Sequence, residues 1–458
     1  MTYPPEPFRI KVVEPIHQIS LEEREALLQR AGYNVFNLPA DKIFIDLLTD
    51  SGTSAMSDQQ WAGMMMGDES YAQARNFFHL QQTVNDVFGM PIVIPTHQGR
   101  AAEHLLFSVL VKPGDVVPNN IHFDTTRANV EYLGATALDC AVEEAYNPEL
   151  DLPFKGNMDP QKLLNAFKQY PGKIPLVMLT ITNNSGGGQP VSMENIRTIS
   201  AICKDHHVPL FFDAARFAEN AYFIKKREPG YAQKSIADIV KEMFSYVDGF
   251  TMSAKKDALV NIGGMIALRD ETTAKRVKEL LILKEGFPTY GGLAGRDLEA
   301  MARGLKEVLV EAYLAYRIGQ VAYLGSRLQE IGIPVLVPFG GHAVYVNARQ
   351  LVKHIPPEHF PGQALVVALY RYGGIRAVEI GSLMFGKRDP RTGRWKAPRL
   401  ELVRLAIPRR VYTQAHMDFV AQVFKTIKAE IQHLKPLKIV EEPPFLRHFT
   451  ARLEEIAI

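Results

Sequence analysis

The chain has 458 residues, too many for one ordinary domain and suited to two. Hydrophobic residues make up 47% and charged residues 22%, a globular balance with ample material for a large core. The formal net charge of +2 supplies no global field that would draw nucleic acid or a membrane surface.

The opening stretch MTYPPEPFRIKVVEP has no basic segment followed by an apolar one, so it does not read as a signal peptide. Residues 1–18 are expected to form an extended arm, on which Phe8 and Ile10 need something to pack against, a neighbouring subunit for example. Residues 19–57 are assigned to a smaller domain completed by the C-terminal part of the chain. No apolar run approaches the roughly 18 residues of a membrane span. Cys140 and Cys203 lie in apolar contexts without paired spacing, as buried free thiols of a reducing compartment do. The expectation is a soluble, cytoplasmic protein with no metal site built from Cys and His.

From about residue 58 to 311 short apolar runs alternate with amphipathic stretches. The runs are Met90–Pro95, Pro175–Thr182, Pro209–Phe212 and Gly263–Leu268, and the helical stretches include Met193–His206 and Ser235–Phe244. Continuous apolar strands separated by helices predict an α/β domain with a mostly parallel sheet covered on both faces. Ligands of such sheets bind beyond the carboxyl ends of the strands. A long helical region, Gly295–Ile331, follows; then come strands at Ile333–Pro338 and His342–Val346, a helix near Gly362–Tyr372, a strand at Glu401–Ile407 and a helix at Gln414–Leu434. Residues 312–458 are therefore expected as a smaller α+β domain.

The chemically pointed residues fall just after the apolar runs. In PLFFDAAR a strand ends in Asp213, with Arg216 one helical turn on. Alone, Asp213 fits a helix N-cap. In GFTMSAKKD a second strand ends in Ser253, then Lys255 and Lys256, which alone would fit a solvated basic turn. Together they suggest more. A buried aspartate can hold a pyridinium N–H, and a lysine on a neighbouring strand end can form a Schiff base with an aldehyde. After the run MPIVIP, the segment THQGR opens a helix with Gly99 and Arg100, a ready anion site to which Ser253 can add a hydroxyl. There is no P-loop, and Gly186–Gly188 lacks dinucleotide-binding spacing and fits a tight turn; the nearby Asn184 could face a ligand.

These segments, with EPFRI, DLLTDSG, MMGDESY, GGQPVS, ENAYFIK, YGGLAGRD, RLAIPRRVYT and LRHFTARL, resemble the β-eliminating lyases of pyridoxal-phosphate (PLP) fold type I nearly end to end. The resemblance implies an aspartate aminotransferase-like fold with a seven-stranded sheet and a homotetramer with shared active sites. It implies Lys256 as the Schiff-base lysine beside Lys255, Asp213 as the pyridinium partner, Asn184 and Arg216 at the ring hydroxyl, and Phe123 on the ring face. It assigns the phosphate to Gln98, Gly99, Arg100 and Ser253. It assigns the substrate carboxylate to Arg404, Thr49 and Ser51, an arginine fork being suited to a carboxylate. Tyr71 would take part in proton transfer across an interface, and Tyr290 would lie in the active site. Glu69 with the carbonyls of Gly52 and Asn261 would hold a monovalent cation, usually potassium.

The family has a tryptophan-cleaving and a tyrosine-cleaving branch. Asp124, His448 and Ile380 resemble the tryptophan branch: a carboxylate can accept from an indole N–H, whereas an aliphatic residue would leave a phenol oxygen unpaired. The stretch AMSDQQWAGMMMGDE and Arg127 resemble the tyrosine branch, and Ala101 departs from both. The expected substrate is L-tryptophan, with tyrosine the alternative; an aminotransferase or a non-catalytic relative is a remoter one.

Overall fold

The structure is a computed structural model that describes residues 3–389, 391–443 and 446–456. Residues 1–2 of the expected arm, and 390, 444–445 and 457–458 of the expected smaller domain, lie outside the described residues. No helix among the described residues is long and apolar enough to cross a membrane.

The first layer system is built on strands β1 (Ile92–Thr96), β2 (Val116–Asn119), β3 (Thr136–Asp139), β4 (Val177–Thr180), β5 (Leu210–Asp213), β6 (Gly249–Ser253) and β7 (Gly264–Leu268). Five of them form one ladder in the order β1-β7-β6-β5-β4. Within it β4, β5 and β6 run parallel, while β7 runs antiparallel to both its neighbours. The strands β2 and β3 form a separate parallel pair. The expected single seven-stranded ladder is thus interrupted between β2 and β4, and the cause is local. Asn120 accepts from the backbone N–H of Thr180 and donates to its carbonyl, at 2.9 and 3.0 Å, and Asn119 donates to the Thr180 hydroxyl. Side-chain amides stand where ladder bonds would run, and Pro118 has no N–H to give.

Helices cover both faces. They include α1 (Leu21–Arg30), α2 (Gly99–Leu110), α3 (Asp124–Tyr132), α4 (Met193–Asp205), α5 (Phe217–Arg227), α6 (Ile236–Ser245), α7 (Gly295–Glu307), α8 (Glu311–Glu330), α9 (Pro361–Gly373) and α10 (Gln414–Ala429). Serine caps start α4 and α6, each accepting from a backbone N–H of the first turn. Phe217 of α5, Phe244 of α6 and Phe250 of β6 pack on Phe88 with ring centroids 4.5–4.9 Å away. Each ring buried this way contributes about 1.5–3 kcal/mol, and together they fix where β5 hands over to α5.

The long helical region expected over Gly295–Ile331 is two helices, α7 and α8, with the β-branched Val308 and Val310 flanking the break. Of the two strands expected after it, only β8 (Ala343–Asn347) forms. The stretch 333–338 makes a single bridge, Val335 to Val346, because Pro334 and Pro338 remove two of its donors. The second sheet is antiparallel, β9-β10-β8, with β9 (Val378–Ile380) and β10 (Leu402–Ala406). A second apolar core joins Leu27, Leu28 and Ile43–Leu47 to α9, α10 and this sheet. The helix α8 serves both cores, giving Tyr313, Leu314 and Tyr316 to the first and Val321, Leu324 and Leu328 to the second.

Candidate active site

Asp213 is the last residue of β5, in register with Thr180 on one side and Thr251 on the other. Lys256 lies just beyond the end of β6. The start of α2 presses against that same end: a Cβ on Gly99 would sit 2.6 Å from the Ser253 Cβ, so only glycine permits the approach. Gln98, Gly99, Arg100 and Ser253 therefore form one cradle at a helix N-terminus, with Lys255 donating to the Gln98 side-chain oxygen at 3.3 Å. The cradle, Phe123, Asn184, Asp213, Arg216, Lys256 and Ser51 line a single cleft.

The electrostatics follow from burial. Lys256 is pushed down to about 7, by desolvation first and by the Arg216 charge second. Its ammonium makes no hydrogen bond among the described residues. Desolvation likewise raises Asp213, opposed by Lys256, and one of its oxygens accepts from the N–H of Ala215 at 3.3 Å. An uncommitted amine, a carboxylate with acceptor capacity to spare and an anion cradle, all in one cleft, fit an aldehyde-bearing, phosphorylated cationic ring. Glu103 adds a second buried carboxyl, raised to about 8 by desolvation and then by Asp213, and bonded by the hydroxyl of Thr126 at 2.5 Å.

Two residues expected at the ring hydroxyl are already engaged. Arg216 forks onto Asp50, at 3.0 and 2.7 Å, leaving Nη1 without a bond among the described residues. The Asn184 Oδ1 accepts from Arg404 at 3.1 Å and from the Tyr345 hydroxyl at 2.7 Å. Arg404 also donates to the Leu48 carbonyl at 3.0 Å, and its buried Nε has no partner. The N–H of Ser51, which lines the cleft, donates to the Thr49 hydroxyl at 3.1 Å, and Arg404 reaches the cleft's edge through Asn184; Thr49 and Arg404 themselves do not line it within one chain.

Asp124 and His448, far apart in sequence, meet inside the protein: the His448 Nε2 is 3.0 Å from the Asp124 Oδ2, and both residues are buried. Asp124 begins α3 directly after Phe123, and its other oxygen accepts from the N–H of Thr125. Ile380 does not join them. Strand alternation in β9 turns it into the apolar cluster with Leu336, Tyr345 and Leu402. Arg127 pairs with Asp139 at 2.5 Å and does not line the cleft.

Tyr71 is 69% exposed and rests edge-on against Tyr290, with centroids 5.3 Å apart; neither lines the cleft within one chain. The expected cation ligands are not brought together either. The Asn261 amide donates to the Gly52 carbonyl at 3.0 Å, whereas Glu69 accepts from the N–H groups of Gly295 and Arg296 at the start of α7. Within one chain the N–H groups at the start of α7 are the better-matched partner for that carboxylate. No group of three or more His, Cys, Asp or Glu that could hold a metal exists among the described residues.

Sequence reasoning passed over Asp50, Glu103 and Arg409. Asp50 and Arg409 lay inside the quoted segments DLLTDSG and RLAIPRRVYT, where each reads as a polar turn residue; Glu103, a charge in the largely apolar stretch AAEHLLFSVL, carried the one available signal.

The beta-eliminating lyase family model matches residues 46–423. A tryptophanase of Hyphomonas neptunium is 55% identical over 452 residues, covering 98% of this chain and 99% of that protein. A tyrosine phenol-lyase of Pasteurella multocida is 51% identical over 453 residues, 99% of each chain. Among solved structures, a threonine aldolase of Leishmania major aligns with a TM-score of 0.59 at 15% identity, covering 84% of this chain and 99% of that one, and shares the fold.

Proposed function

The chain belongs to the beta-eliminating lyase family and has the PLP fold type I, and from this premise we propose that it cleaves L-tryptophan to indole, pyruvate and ammonium. The family and the fold both support pyridoxal phosphate as cofactor. When bound, it would supply an electron sink for the bonds broken at the amino acid.

The chain's own residues take the following roles in this reading. Gln98, Gly99, Arg100 and Ser253 hold the phosphate, Phe123 covers the ring, and Asp213 accepts the ring N–H. Arg404, Thr49 and Ser51 fix the substrate carboxylate. Lys256, depressed to about 7, is poised near neutral pH to take the Cα proton. The observation that carries the choice of tryptophan is the buried Asp124–His448 pair. A carboxylate held by an imidazole can accept the indole N–H as C3 gains a proton. Tyr71, exposed in one chain, donates that proton into the cleft of a second copy, and a homotetramer is the proposed assembly. Potassium would bind where Gly52 and Asn261 of one copy meet Glu69 of another. The two buried free cysteines support a reducing, cytoplasmic setting.

The test is an assay of the PLP-loaded protein in potassium buffer, with tryptophan in one cuvette and tyrosine in the other, quantifying indole, phenol and pyruvate. Indole with little phenol is expected. Phenol in excess would assign the chain to the tyrosine branch and leave the PLP roles untouched. Pyridoxamine phosphate released without pyruvate would point to transamination instead.

A further inference from the structure

The segment 47–55 runs as a strap across the cleft from the second sheet to the Schiff-base loop. The N–H of Leu47 donates to the Arg376 carbonyl, and the Leu47 carbonyl accepts from Ala406. The Leu48 carbonyl takes Arg404. Further along, the Gly52 N–H donates to the Lys255 carbonyl at 2.8 Å, next to Lys256. At the centre of the strap, between Thr49 and Ser51, the side chain of Asp50 is turned inward and only 1% exposed.

Asp50 accepts hydrogen bonds from two guanidinium groups and lies 3.8 Å from a third, that of Arg317. Arg216, which lines the cleft at the end of β5, forks onto both of its oxygens at 3.0 and 2.7 Å. Arg409, just beyond β10, donates to its carboxylate at 2.8 Å and to its backbone carbonyl at 3.2 Å. Arg409 then continues to Glu219 and Asp257 at 2.8 and 2.9 Å, and Arg317 of α8 bonds Glu219 at 3.1 Å. Three arginines and three carboxyl groups thus meet in a buried cluster, in which desolvation and then Glu219 push Asp257 up to about 7. Burial would push the Asp50 carboxyl up, but Arg216, His342 and Arg409 outweigh it and hold it well below the usual range.

The position of this carboxylate is informative. Its sequence neighbours Thr49 and Ser51 belong to the proposed carboxylate-binding edge, joined by the Ser51-to-Thr49 bond. Its fork fixes Arg216, whose Nη1 has no bond among the described residues and which lines the cleft. A carboxylate bound at Arg404, Thr49 and Ser51 would bear on the strap on both sides of Asp50, and through Asp50 on the Arg216 fork.

We propose that Asp50 is a positioning residue that couples occupancy of the substrate-carboxylate site to the grip on the cofactor, through the bidentate Asp50–Arg216 pair. This rests on the PLP reading above and adds to it a thermodynamic link between two sites. Such a link is reciprocal: a carboxylate that tightens the cofactor must itself be tightened by it.

The experiment uses the full-length protein stripped of cofactor and titrated with PLP, following the absorbance of the bound cofactor. The titration is run with and without saturating 3-phenylpropionate, a carboxylate that has no amine to react with the aldehyde. In the parent protein the probe is expected to lower the apparent PLP dissociation constant about fivefold, the low end of typical couplings. In Asp50→Asn the factor is expected to fall below about 1.5-fold while PLP and the probe each still bind, which is the pattern of a lost link and not of a lost site. Circular dichroism checks that this variant folds. If it does not, Asp50→Glu is measured instead: it keeps the charge but displaces the fork, and its coupling is expected to drop by at least about half. Undiminished coupling in either folded variant, or no coupling in the parent, overturns the proposal. A parent that fails to bind PLP at all overturns the cofactor reading itself, so the two failures are distinguishable.

Discussion

Lys256→Met is expected to stabilise the cofactor-free chain, and by an amount that depends on pH. The amine drops from 10.5 in the unfolded chain to about 7 in the fold, because burial and the Arg216 charge disfavour the ammonium. At 1.36 kcal/mol for each tenfold change, the difference corresponds to about 5 kcal/mol. Lys256 keeps some contact with solvent in the open cleft, which reduces the expected gain to roughly 2–3 kcal/mol. The sign follows from proton binding. Below the folded value both states carry the proton, and the parent bears the full penalty of a desolvated charge. Between about 7 and 10.5 the unfolded chain binds the proton and the fold does not, so parent stability rises with pH through that window. Methionine has similar volume and no charge, so it is free of the penalty throughout. The assay is the urea midpoint of both proteins from pH 6.5 to pH 9.5, without cofactor. The gap should be largest at the acid end and shrink steadily toward the alkaline end. A gap that does not change with pH, or a parent more stable than the variant at pH 6.5, would show that Lys256 is paired as an ammonium and would refute the reasoning.

Further outcomes follow from the same geometry. His448→Phe leaves a buried Asp124 carboxylate without its partner; indole release should fall by about 10²-fold or more, as for the loss of one electrostatic contact to a transition state, while pyruvate formation from an S-alkyl cysteine falls far less, and equal losses would sink the role. Arg404→Lys keeps the charge but loses the fork that spans Asn184 and the Leu48 carbonyl; steady-state kinetics should show KM for the amino acid rising by about 10²-fold, with a smaller change in kcat, since a lysine cannot replace a bidentate contact. Finally, Tyr71→Phe and Lys256→Ala should each be nearly inactive alone, yet regain activity when co-refolded, because a mixed assembly contains one cleft with both native residues; no recovery above the sum of the separate preparations would place Tyr71 outside the neighbouring cleft.

The fold and the gathering of the strand-end residues in one cleft were legible in the sequence for a simple physical reason: the determinants are local. PLFFDAAR and GFTMSAKKD each show an apolar strand running straight into its charged terminus, and the structure sets Asp213 and Lys256 at such ends. What was not legible depends on contacts that no local period encodes. The gap between β2 and β4 arises from Asn119 and Asn120, whose amides read as ordinary polar residues at a strand end. The turning of Ile380 into the apolar cluster with Leu336 and Tyr345 goes with its pairing with Leu402 on β10. Glu69 and Tyr71 lie away from the cleft within one chain, Glu69 on the start of α7 and Tyr71 exposed, and no local pattern separates them from the residues that line it. Asp50 is the clearest case: in DLLTDSG it looks like a solvated turn residue, but its partners lie 166 and 359 positions away. Nor is its cluster explained by stability. Taking charges out of water costs several kcal/mol each, and well-packed apolar residues of similar volume would hold the two cores together at least as well. A buried set of ion pairs does confer geometric definition: a fork that is satisfied in one arrangement and unpaired in any other. Placed between the residues that would grip a substrate carboxylate and the arginine that faces the cofactor cleft, that definition is what a link between the two sites requires.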